Sequence, residues 1–404
     1  MSALPKREHG IHGLKYGIRH YPWGRTDREC RVASLHRNPS SPPPYAELWL
    51  GTHPALPSVL TTGVPLSDLL KGGGKDMPCL LKVLSVASPL SVQVHPDVGL
   101  AALLRAKDPE SFPDANHKPE LLMALSPFTA MVGLNPPSLI ASFVGDYPLT
   151  LGAVLSPEGL EPSPSPASVF GRLARFAGTG REEGRLAIGN HVELLSRRGA
   201  NGRLEDRIFL RLAERHPADA AVFMAYVLRC VKLEPGDAVY IGPNVPHCYV
   251  EGEGVEVMAR GDNVVRVGLT GKRVDPETAA IMVQSPGADR VTRYPWKGNP
   301  VSPGTGPNAA TVRNYEPADP DVTDFVLSSV RSDADRISIT PSGPAMGLVL
   351  RGAGIGSAVF MLPGAEWEVS ARESDLRCRD EGRIHVVIAQ SRCVSPVKVQ
   401  TKMG

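Results

Sequence analysis

The stretch SVQVHPD, residues 91–97, alternates valine with polar residues and ends in a Pro-Asp pair. In a β-strand successive side chains point to opposite faces, so the two valines are predicted to enter a core while Ser91, Gln93 and His95 share the other face. A strand that turns its polar face to water would show the same alternation. The three polar residues therefore predict a functional site only if other parts of the chain supply partners for them.

The bulk composition is that of an ordinary globular protein, and 404 residues suggest two or three domains. Hydrophobic residues make up 42% of the chain and charged residues 21%, so there is enough apolar material for a core. The formal net charge of +2 and the aromatic content of 5% argue against nucleic-acid binding, which favours a basic surface and stacking side chains.

The cysteines and the apolar runs bear on the cell compartment. Six cysteines occur, none in a CxxC pair and most within strand-like apolar segments such as YVLRCVKL. This pattern favours free thiols in a reducing compartment. No apolar run is long enough to cross a bilayer, and the N-terminus has no apolar signal core. The sequence therefore predicts a soluble, cytoplasmic protein with neither membrane nor nucleic-acid partners.

Short β-like runs separated by glycine and proline dominate the chain, as in ELWLGTH, CLLKVLSV, AVYIGP and NVVRVGLT. Such runs favour a β-barrel or sandwich, and the absence of nucleotide-binding glycine motifs argues against a doubly wound sheet. Between residues 135 and 230 the pattern changes. A Pro- and Ser-rich loop precedes SVFGRLARF, HVELLSRR and DRIFLRLAERH, whose helical periodicity predicts a helical insert, with Glu205 or Asp206 at the start of the last helix. Another irregular stretch marks a boundary near 290–315.

A weak internal repeat links the two β-rich parts. AVYIGPNVPHCYV at 238–250 resembles AVFMLPGAEWEVS at 358–370 in its strand, its turn with a proline and its second strand. His247 in the first copy corresponds to Trp367 in the second. The repeat suggests two related barrels, of which only the first retains the histidine.

Three further polar stretches supply partners for the opening strand. They are FPDANHKPELLMAL (112–125), LEPGDAVYIGPNVPHCYVEG (233–252) and GVEVMARGDNVVRVGLTGK (254–272). Polar groups from several strands in one barrel interior need a reason, because unpaired buried polar groups are costly. Two histidines, one carboxylate and one amide oxygen form a plausible N/O ligand set for a divalent ion, above all Zn²⁺. An amide is an unusual ligand, and residue chemistry alone does not select Gln93.

Four of these motifs resemble the signature stretches of the type I mannose-6-phosphate isomerase (phosphomannose isomerase) family of the cupin superfamily. They are QVHPD, FPDANHKPE, NVPHCY and GDNVVRVGLT. YPWG at 21–24, AELWLGTHP at 46–54 and LLKVLSVASPLS at 80–91 are similar to other family segments in the same order. The resemblance runs from about residue 16 to 280 and is interrupted by the helical region.

The resemblance implies a mainly β fold of two cupin-like (jelly-roll) β-barrels with an inserted α-helical domain. The implied parts are a catalytic barrel from 1–134 and 231–300, a helical insert at 135–230, and a C-terminal cupin-like barrel without metal at 301–404. It also implies a monomer that acts on a small sugar phosphate, interconverting mannose 6-phosphate and fructose 6-phosphate through a cis-enediol. Such an activity would feed GDP-mannose synthesis or mannose catabolism.

The same resemblance assigns site residues position by position. One zinc ion per chain would be held by Gln93, His95, Glu120 and His247. Arg266 falls on the family's catalytic arginine, and Arg266 and Lys118 would stabilise the negative enediolate oxygens. Glu256 and a zinc-bound water are alternative candidates for the base. The expected pocket positions are Lys82, Ser91, Lys118, Tyr249, Glu256 and Lys272, and the rim positions are Trp23 and Glu47. Of these, Lys82, Ser91 and Lys272 are expected to bind the phosphate.

Several positions depart from the family pattern. Val257 replaces a common cysteine, Gly261 a serine, Val267 an alanine and Gly271 a proline. Val267 and Gly271 flank Arg266 and Lys272, so they are expected to affect the pocket shape or the rigidity of the loop. None of the four removes a proposed ligand or an acid–base group.

Alternative interpretations remain open for single residues and for the whole chain. Lys82 could be a lysine that only extends along a barrel strand, His117 could orient Glu120 or be uninvolved, and Glu256 could be a structural partner of Arg266 or Lys118. A non-catalytic sugar-binding cupin and an iron-dependent cupin oxygenase are the alternative functions. The remaining histidines are expected on the surface or with satisfied partners: His9, His12, His20, His36, His53, His191, His216 and His385.

Overall fold

The computed structural model describes residues 10–36, 38, 40–71, 76–155, 165–198, 202–296, 310–371 and 383–402. Most of the predicted Pro- and Ser-rich loop, much of the boundary predicted near 290–315, His9 and Cys378 lie outside these residues. The cysteines within them are free thiols, as predicted: Cys30, Cys79, Cys230, Cys248 and Cys393.

Strands form most of the regular structure in this part of the chain. In chain order they are β1 (Ile11–Lys15), β2 (Gly17–Arg19), β3 (Glu47–Leu50), β4 (Val59–Leu60), β5 (Cys79–Val86), β6 (Val92–Val94), β7 (Glu120–Ala124), β8 (Phe128–Leu134), β9 (Leu228–Leu233), β10 (Ala238–Ile241), β11 (His247–Ala259), β12 (Val265–Gly268), β13 (Val291–Tyr294), β14 (Thr311–Tyr315), β15 (Val326–Ser332), β16 (Arg336–Thr340), β17 (Ala345–Arg351), β18 (Ala358–Met361), β19 (Trp367–Ser370), β20 (Ile384–Gln390) and β21 (Lys398–Lys402). The prediction of a mainly β chain is confirmed.

Helices occur mainly between β8 and β9. The α-helices are α1 (Arg31–His36), α2 (Leu66–Lys71), α3 (Val98–Lys107), α4 (Pro137–Asp146), α5 (Ala153–Leu155), α6 (Pro166–Thr179), α7 (Arg181–Arg198), α8 (Leu204–Arg215), α9 (Met224–Val227) and α10 (Pro276–Gln284). A π-helical turn (Pro148–Gly152) and a 3-10 helix (Ala220–Phe223) complete the set. The predicted helices of the insert are present as α6, α7 and α8, and Asp206 accepts a hydrogen bond from the Arg203 amide at the start of α8.

None of the described helices is, by itself, both long and apolar enough to cross a bilayer, although α4 and the bent segment Pro148–Leu155 together reach that length and composition.

The long strand β11 connects two layers of the largest sheet. Its first residues pair with β6 and β8, and its later residues pair with β5 and β7. The pairing register with β8 shifts between Tyr249 and Glu251, next to Gly252, whose φ is +125°. A Cβ at Gly252 would lie 2.6 Å from the Phe128 ring, so only glycine allows this bend. The bend lets one strand present residues to both layers.

A second sheet has the strand order β14-β15-β20-β17-β18-β1-β4 and faces the small sheet β19-β16-β21. The N-terminal strand β1 therefore lies among C-terminal strands, paired with β18. Apolar residues fill the space in this part of the chain, and the Trp367 ring packs there against Gly347, where a Cβ would lie 2.4 Å from it.

The internal repeat corresponds to matching structure. β10 and β18 begin at the two copies' first residues, and β11 and β19 begin at His247 and Trp367. The turns also match, because Asn244 and Gly364 occupy equivalent positions and both have left-handed φ values, 64° and 77°. The strand–turn–strand unit predicted from the repeat is therefore confirmed in both copies.

Candidate active site

Three strand ends bring a compact group of polar side chains together. Gln93 lies on β6, His95 follows that strand, Glu120 begins β7 and His247 begins β11, opposite Gln93 in the ladder. His95 Nε2 lies 3.3 Å from Glu120 Oε1, and His247 Nε2 lies 3.3 Å from Glu120 Oε2. Candidate ligand atoms of the two histidines and the glutamate all lie within 4.8 Å of one another. The alternation predicted for the opening strand is present, since Val92 and Val94 are both buried in the core.

Backbone carbonyls fix the orientation of both imidazoles. His95 Nδ1 donates to the Asn263 carbonyl at 2.8 Å, and His247 Nδ1 donates to the Val245 carbonyl at 3.0 Å. A carbonyl can only accept, so in the neutral form of each ring Nδ1 carries the proton and Nε2 presents a lone pair. Both lone pairs point toward the Glu120 carboxylate.

This arrangement leaves buried acceptors facing one another. His95, Glu120 and His247 are at most 2% exposed. Within the described residues, His95 Nε2 and Glu120 Oε2 have no hydrogen-bond donor. Buried acceptors without a donor are unfavourable, and a cation placed between them removes that penalty. The cluster therefore fits a metal ion.

The protonation states also suit metal ligands. Burial, together with the charge of nearby Lys118, lowers the pKa of His95 to about 3. Burial alone would raise the pKa of the Glu120 carboxyl, but the positive charge of Lys118 beside it helps to hold this pKa well below its usual range. Near neutral pH a neutral imidazole and a carboxylate are therefore present, which are the forms that bind metals.

Gln93 is the fourth member of the predicted ligand set. Its amide Nε2 lies 3.2 Å from His247 Nε2. An amide offers a donor nitrogen and an acceptor oxygen, and a half-turn about its last bond exchanges them. Gln93 thus has the position and the chemistry to offer an oxygen to an ion at the cluster.

A cavity of about 190 Å³ opens from this cluster to the surface. Gln93 and Glu120 lie on its floor, and Trp23, Ser91 and Tyr249 line its walls. Four cationic and four acidic side chains line it: Lys82, Lys118, Arg266, Lys272, Glu47, Glu120, Glu256 and Asp262. All nine predicted catalytic and substrate-binding residues line this one cavity.

Glu256 has different partners from those considered in the sequence. Lys82 Nζ donates to one carboxylate oxygen at 2.9 Å, and Tyr249 OH donates to the other at 2.8 Å. No ion pair joins Glu256 to Arg266 or Lys118 among the described residues. Burial raises the pKa of Glu256 despite the opposing charge of Lys82. Burial opposes the charge on Lys82, but Glu256 and Glu47 raise the pKa of its ammonium, so Lys82 is a charged, buried partner rather than a lysine that extends to solvent.

Lys118 lies at the floor of the cavity. Its ammonium is 3.4 Å from Glu120 Oε1, and its side chain is buried. The charge of Lys118 therefore reaches the same carboxylate that faces both histidines.

Backbone hydrogen bonds fix the position of Arg266, whereas its side chain is unpaired among the described residues. Its place in β12 lies opposite Gln93 in the ladder, and its carbonyl accepts from the Asp275 amide at 2.8 Å. In the described part of the chain, its guanidinium has no hydrogen bond or ion pair. Burial lowers the pKa of Arg266 from its usual value, yet an arginine stays charged at any working pH. A half-buried cation with unused donors is thus directed at the cavity.

The rim of the cavity combines aromatic and charged groups. Trp49 Nε1 donates to Glu47 at 2.5 Å, and Tyr21 stacks on Trp23 with ring centroids 5.7 Å apart. The exposed Lys272 ammonium lies 5.4 Å from the Tyr21 ring centroid.

His117 does not orient Glu120. Its Nε2 lies 2.8 Å from Asp324, in the segment between β14 and β15. This histidine thus links the site's supporting loop to the C-terminal strands, and the hypothesis of a role in orienting the glutamate is wrong.

Sequence reasoning missed several lining residues, above all His53. The expectation of a satisfied histidine holds, since the Ala55 amide donates to His53 Nδ1 at 3.2 Å. Its place in the site was not predicted, because it is 3% exposed, lines the cavity and packs edge-on against Trp49. Trp49 could have been found, because it shares a strand face with Glu47 under the alternation rule. Tyr21, Asp262 and Thr270 also line the cavity.

Most other histidines in the described segments agree with the expectation. His191 is buried and bonds to Thr150 and Tyr226, and His385 bonds to Ser329. His20, His36 and His216 are partly or fully exposed. His12 differs, because it is half-buried and its Nε2 has no hydrogen-bond partner among the described residues.

The four departures from the family pattern lie in different environments. Val257 and Val267 are buried in apolar cores. A Cβ at Gly261 would lie 2.9 Å from the His117 carbonyl oxygen, so a larger residue there requires a shift of that loop. A Cβ at Gly271 would meet no atom within 4 Å.

The fold and the cluster together define a mainly β protein with a buried His–Glu–His site at the floor of a polar cavity. A family model, phosphomannose isomerase type I, catalytic domain, matches residues 11–137. Mannose-6-phosphate isomerase of Homo sapiens is 33% identical over 67% of this chain and 72% of its own length. Mannose-6-phosphate isomerase 1 of Arabidopsis thaliana is 32% identical over 84% of both chains.

Solved structures agree with this comparison at the level of the fold. A mannose 6-phosphate isomerase bound with zinc and yttrium superimposes with a TM-score of 0.72 at 24% identity, covering 95% of this chain and 100% of its own. A mutant phosphomannose isomerase from Salmonella typhimurium gives 0.73 at 24% identity, with the same coverage. The chain belongs to the type I phosphomannose isomerase family. It is therefore an isomerase, and the family predicted from the motifs is confirmed.

Proposed function

We propose that this chain interconverts mannose 6-phosphate and fructose 6-phosphate with one zinc ion bound per chain. The observation that carries the proposal is the pair of buried acceptors, His95 Nε2 and Glu120 Oε2, which have no donor among the described residues and lie at the floor of a polar cavity. The relatives named mannose-6-phosphate isomerase supply the substrate class.

Gln93, His95, Glu120 and His247 would hold the ion. Two imidazoles, a carboxylate and an amide form an N/O set that suits Zn²⁺. A similar fold has been solved with zinc and yttrium bound. When bound, zinc polarises a carbonyl and stabilises negative charge on adjacent oxygens.

The charges of the cavity match a sugar phosphate. Its four cations balance its four carboxylates. A divalent ion adds two positive charges, and a phosphate monoester carries about −2 near neutral pH. The loaded cavity and the substrate are therefore complementary in charge, which favours a phosphorylated sugar over a neutral one.

The two ends of the cavity suggest how the substrate lies. Lys272 is exposed at the rim and Ser91 is half-buried, so they suit the phosphate group. Lys82 is buried and paired with Glu256, so we assign it to the hydroxyl groups of the sugar rather than to the phosphate. Trp23, Glu47 and Tyr249 complete the walls around the carbon chain.

The isomerisation itself is a proton transfer. In the open-chain aldose, Glu256 would remove the C2 proton, the C–H electrons would form the C1–C2 double bond, and the C1 carbonyl oxygen would take the negative charge of a cis-enediolate. The O2 hydroxyl would pass its proton to O1 through the cis-enediol stage, and Glu256 would return its proton to C1 as the C2 carbonyl of the ketose forms. The raised pKa of Glu256 suits a group that both accepts and returns a proton. Arg266 and Lys118 would stabilise the negative charge on O1 and O2.

For the architecture we infer two cupin-like jelly-roll barrels and a helical insert, with the parts at 1–134, 135–230, 231–300 and 301–404. The matching strand–turn–strand units around His247 and Trp367 support this division. One adjustment follows from the pairing of β1 with β18, because the first strand then belongs to the C-terminal barrel.

An enzyme-coupled assay for fructose 6-phosphate formed from mannose 6-phosphate tests the proposal. The zinc-loaded chain should turn over this substrate, and Glu120→Gln should lose both zinc and activity while keeping the fold. Glu251→Gln is a matched control, because Glu251 lies on β11 but pairs with Arg211 at the surface. A zinc-loaded chain that binds mannose 6-phosphate without converting it would support the sugar-binding alternative instead.

A further inference from the structure

The turn that follows β12 lies between two cavities and carries groups of the active site. On one side of the turn, Leu269, Thr270 and Lys272 line the substrate cavity. A second cavity of about 430 Å³ lies behind it and is lined by Thr270, Gly271 and Lys272 as well. With space on both sides, packing alone does not fix the position of Lys272. The turn therefore depends on specific anchors.

The backbone of this turn is in an unfavourable conformation. Leu269 has a φ of 59°, a left-handed conformation that disfavours any residue with a Cβ. Its amide donates to Asp219 Oδ2 at 2.6 Å, and its side chain is buried in the helical core. Such a conformation persists only where surrounding contacts hold it.

Asp219 uses both of its carboxylate oxygens to join two segments. Oδ1 accepts from the Ala221 amide at 2.9 Å and caps the 3-10 helix at Ala220–Phe223, while Oδ2 accepts from Leu269. The two segments also approach closely, since a Cβ at Gly268 would lie 2.4 Å from Ala221 Cβ. Asp219 itself lines only the rear cavity and not the substrate cavity.

We propose that Asp219 is a positioning residue for substrate binding. Its carboxylate holds the turn that carries Lys272, and through Lys272 it sets the affinity for the phosphate end of the substrate. This inference rests on the proposed function, in which Lys272 contacts the phosphate. It extends that function to a residue outside the substrate cavity.

Arg266 and Lys272 differ in how much their positions depend on Asp219. Arg266 keeps its backbone anchors without Asp219, because β12 pairs with β6 at Gln93 and the Asp275 amide bonds to its carbonyl. Beyond Leu269, the contacts of Lys272 within the described segments are a local hydrogen bond from its amide to Thr270 Oγ1 at 3.1 Å and the contact of its ammonium with the Tyr21 ring. Loss of the Asp219 anchor should therefore displace Lys272 and leave Arg266 in place.

The test is steady-state kinetics of Asp219→Ala in the zinc-loaded full chain with mannose 6-phosphate. We expect KM to rise about tenfold while kcat changes by less than about threefold, because a displaced binding group weakens substrate binding without removing the reacting groups. In a Lys272→Ala background, Asp219→Ala should raise KM by less than about twofold, since residues that act through one another are not additive.

A matched control separates positioning from general stability. Asp275→Ala removes the cap of α10, where the Asp275 side chain accepts from the Thr278 amide. It keeps the backbone amide that bonds to the Arg266 carbonyl, and it leaves the turn and the Asp219 anchor intact. We expect a similar fall in Tm from the loss of a helix cap and no change in KM. If Asp219→Ala does not fold, Asp219→Asn keeps the size of the side chain with a single acceptor oxygen, and its KM should lie between those of wild type and Lys272→Ala.

Hydrogen exchange of the segment 265–272 provides a readout that does not depend on catalysis. Exchange at the Leu269 amide should speed up in Asp219→Ala and not in Asp275→Ala. Unchanged KM in a folded Asp219 variant, or an equal KM effect of Asp275→Ala, would overturn the inference while wild-type turnover leaves the proposed function standing. A wild-type chain without turnover of mannose 6-phosphate would overturn both.

Discussion

Arg266→Ala is the substitution whose effect follows most directly from the site. The guanidinium is half-buried at the cavity wall and, in the described segments, makes no ion pair or hydrogen bond. Removing it therefore breaks no structural contact of its own. We expect kcat to fall by about 10²–10³-fold, or about 2.7–4 kcal/mol, by analogy with donors to a developing oxyanion. KM should change much less, because the enediolate charge is largest in the transition state.

Three measurements separate catalysis from structure for this variant. The coupled assay gives kcat and KM, metal analysis gives zinc content, and thermal unfolding gives Tm. Zinc content and Tm should stay close to wild type. Arg273→Ala is a matched control, since Arg273 is a nearby arginine that pairs with Asp108 outside the cavity. A folded, zinc-loaded Arg266→Ala chain with wild-type kcat would refute the catalytic assignment, and parallel losses of activity and Tm would indicate a structural role.

The site and its surroundings also predict the effects of chelation, of pH and of two further substitutions. Chelation should abolish activity with little loss of far-UV circular dichroism at room temperature, because a chain of this size buries its own core, and global unfolding would show the metal to be structural. His247→Ala should leave no zinc bound, because it removes one ligand of the proposed site. The C-terminal strands are not expected to bind zinc in its place, because Trp367 occupies the position equivalent to His247, so metal analysis that still finds one ion per chain would contradict this. Glu256 must be ionised to act as the base, so kcat/KM should fall as pH drops through its raised pKa. Tyr249→Phe removes a hydrogen bond to the carboxylate and should move that acid limb to higher pH, whereas a limb at the same or lower pH would count against Glu256.

Local alternation and the internal repeat predicted much of the site. Side chains two residues apart on a strand share a face, so Gln93 and His95 could be expected together before any partner was known. The repeat predicted a strand, a turn and a second strand in each copy, and β10 and β11 lie in the first copy as β18 and β19 lie in the second. In the structure the two turns also share a left-handed φ value at the same offset. These features are encoded within a few residues of one another.

Features that depend on distant pairing could not be predicted in this way. β1 pairs with β18, almost the whole chain length away, and no local pattern indicates which strand edge it joins. The partner of Glu256 is Lys82 on the adjacent strand β5, a choice set by the register of β11 against β5. His53 lies beyond a strand end, where alternation no longer specifies direction. These contacts require the assembled fold.

Titration of the metal-free chain with zinc tests the central claim most directly, when fructose 6-phosphate formation from mannose 6-phosphate is measured at each step. We predict no turnover before zinc is added, a rate that rises in proportion to the zinc bound, and a constant rate beyond one ion per chain. Full turnover by the metal-free chain, or no turnover with one zinc bound at the His95, Glu120 and His247 cluster, would contradict this prediction.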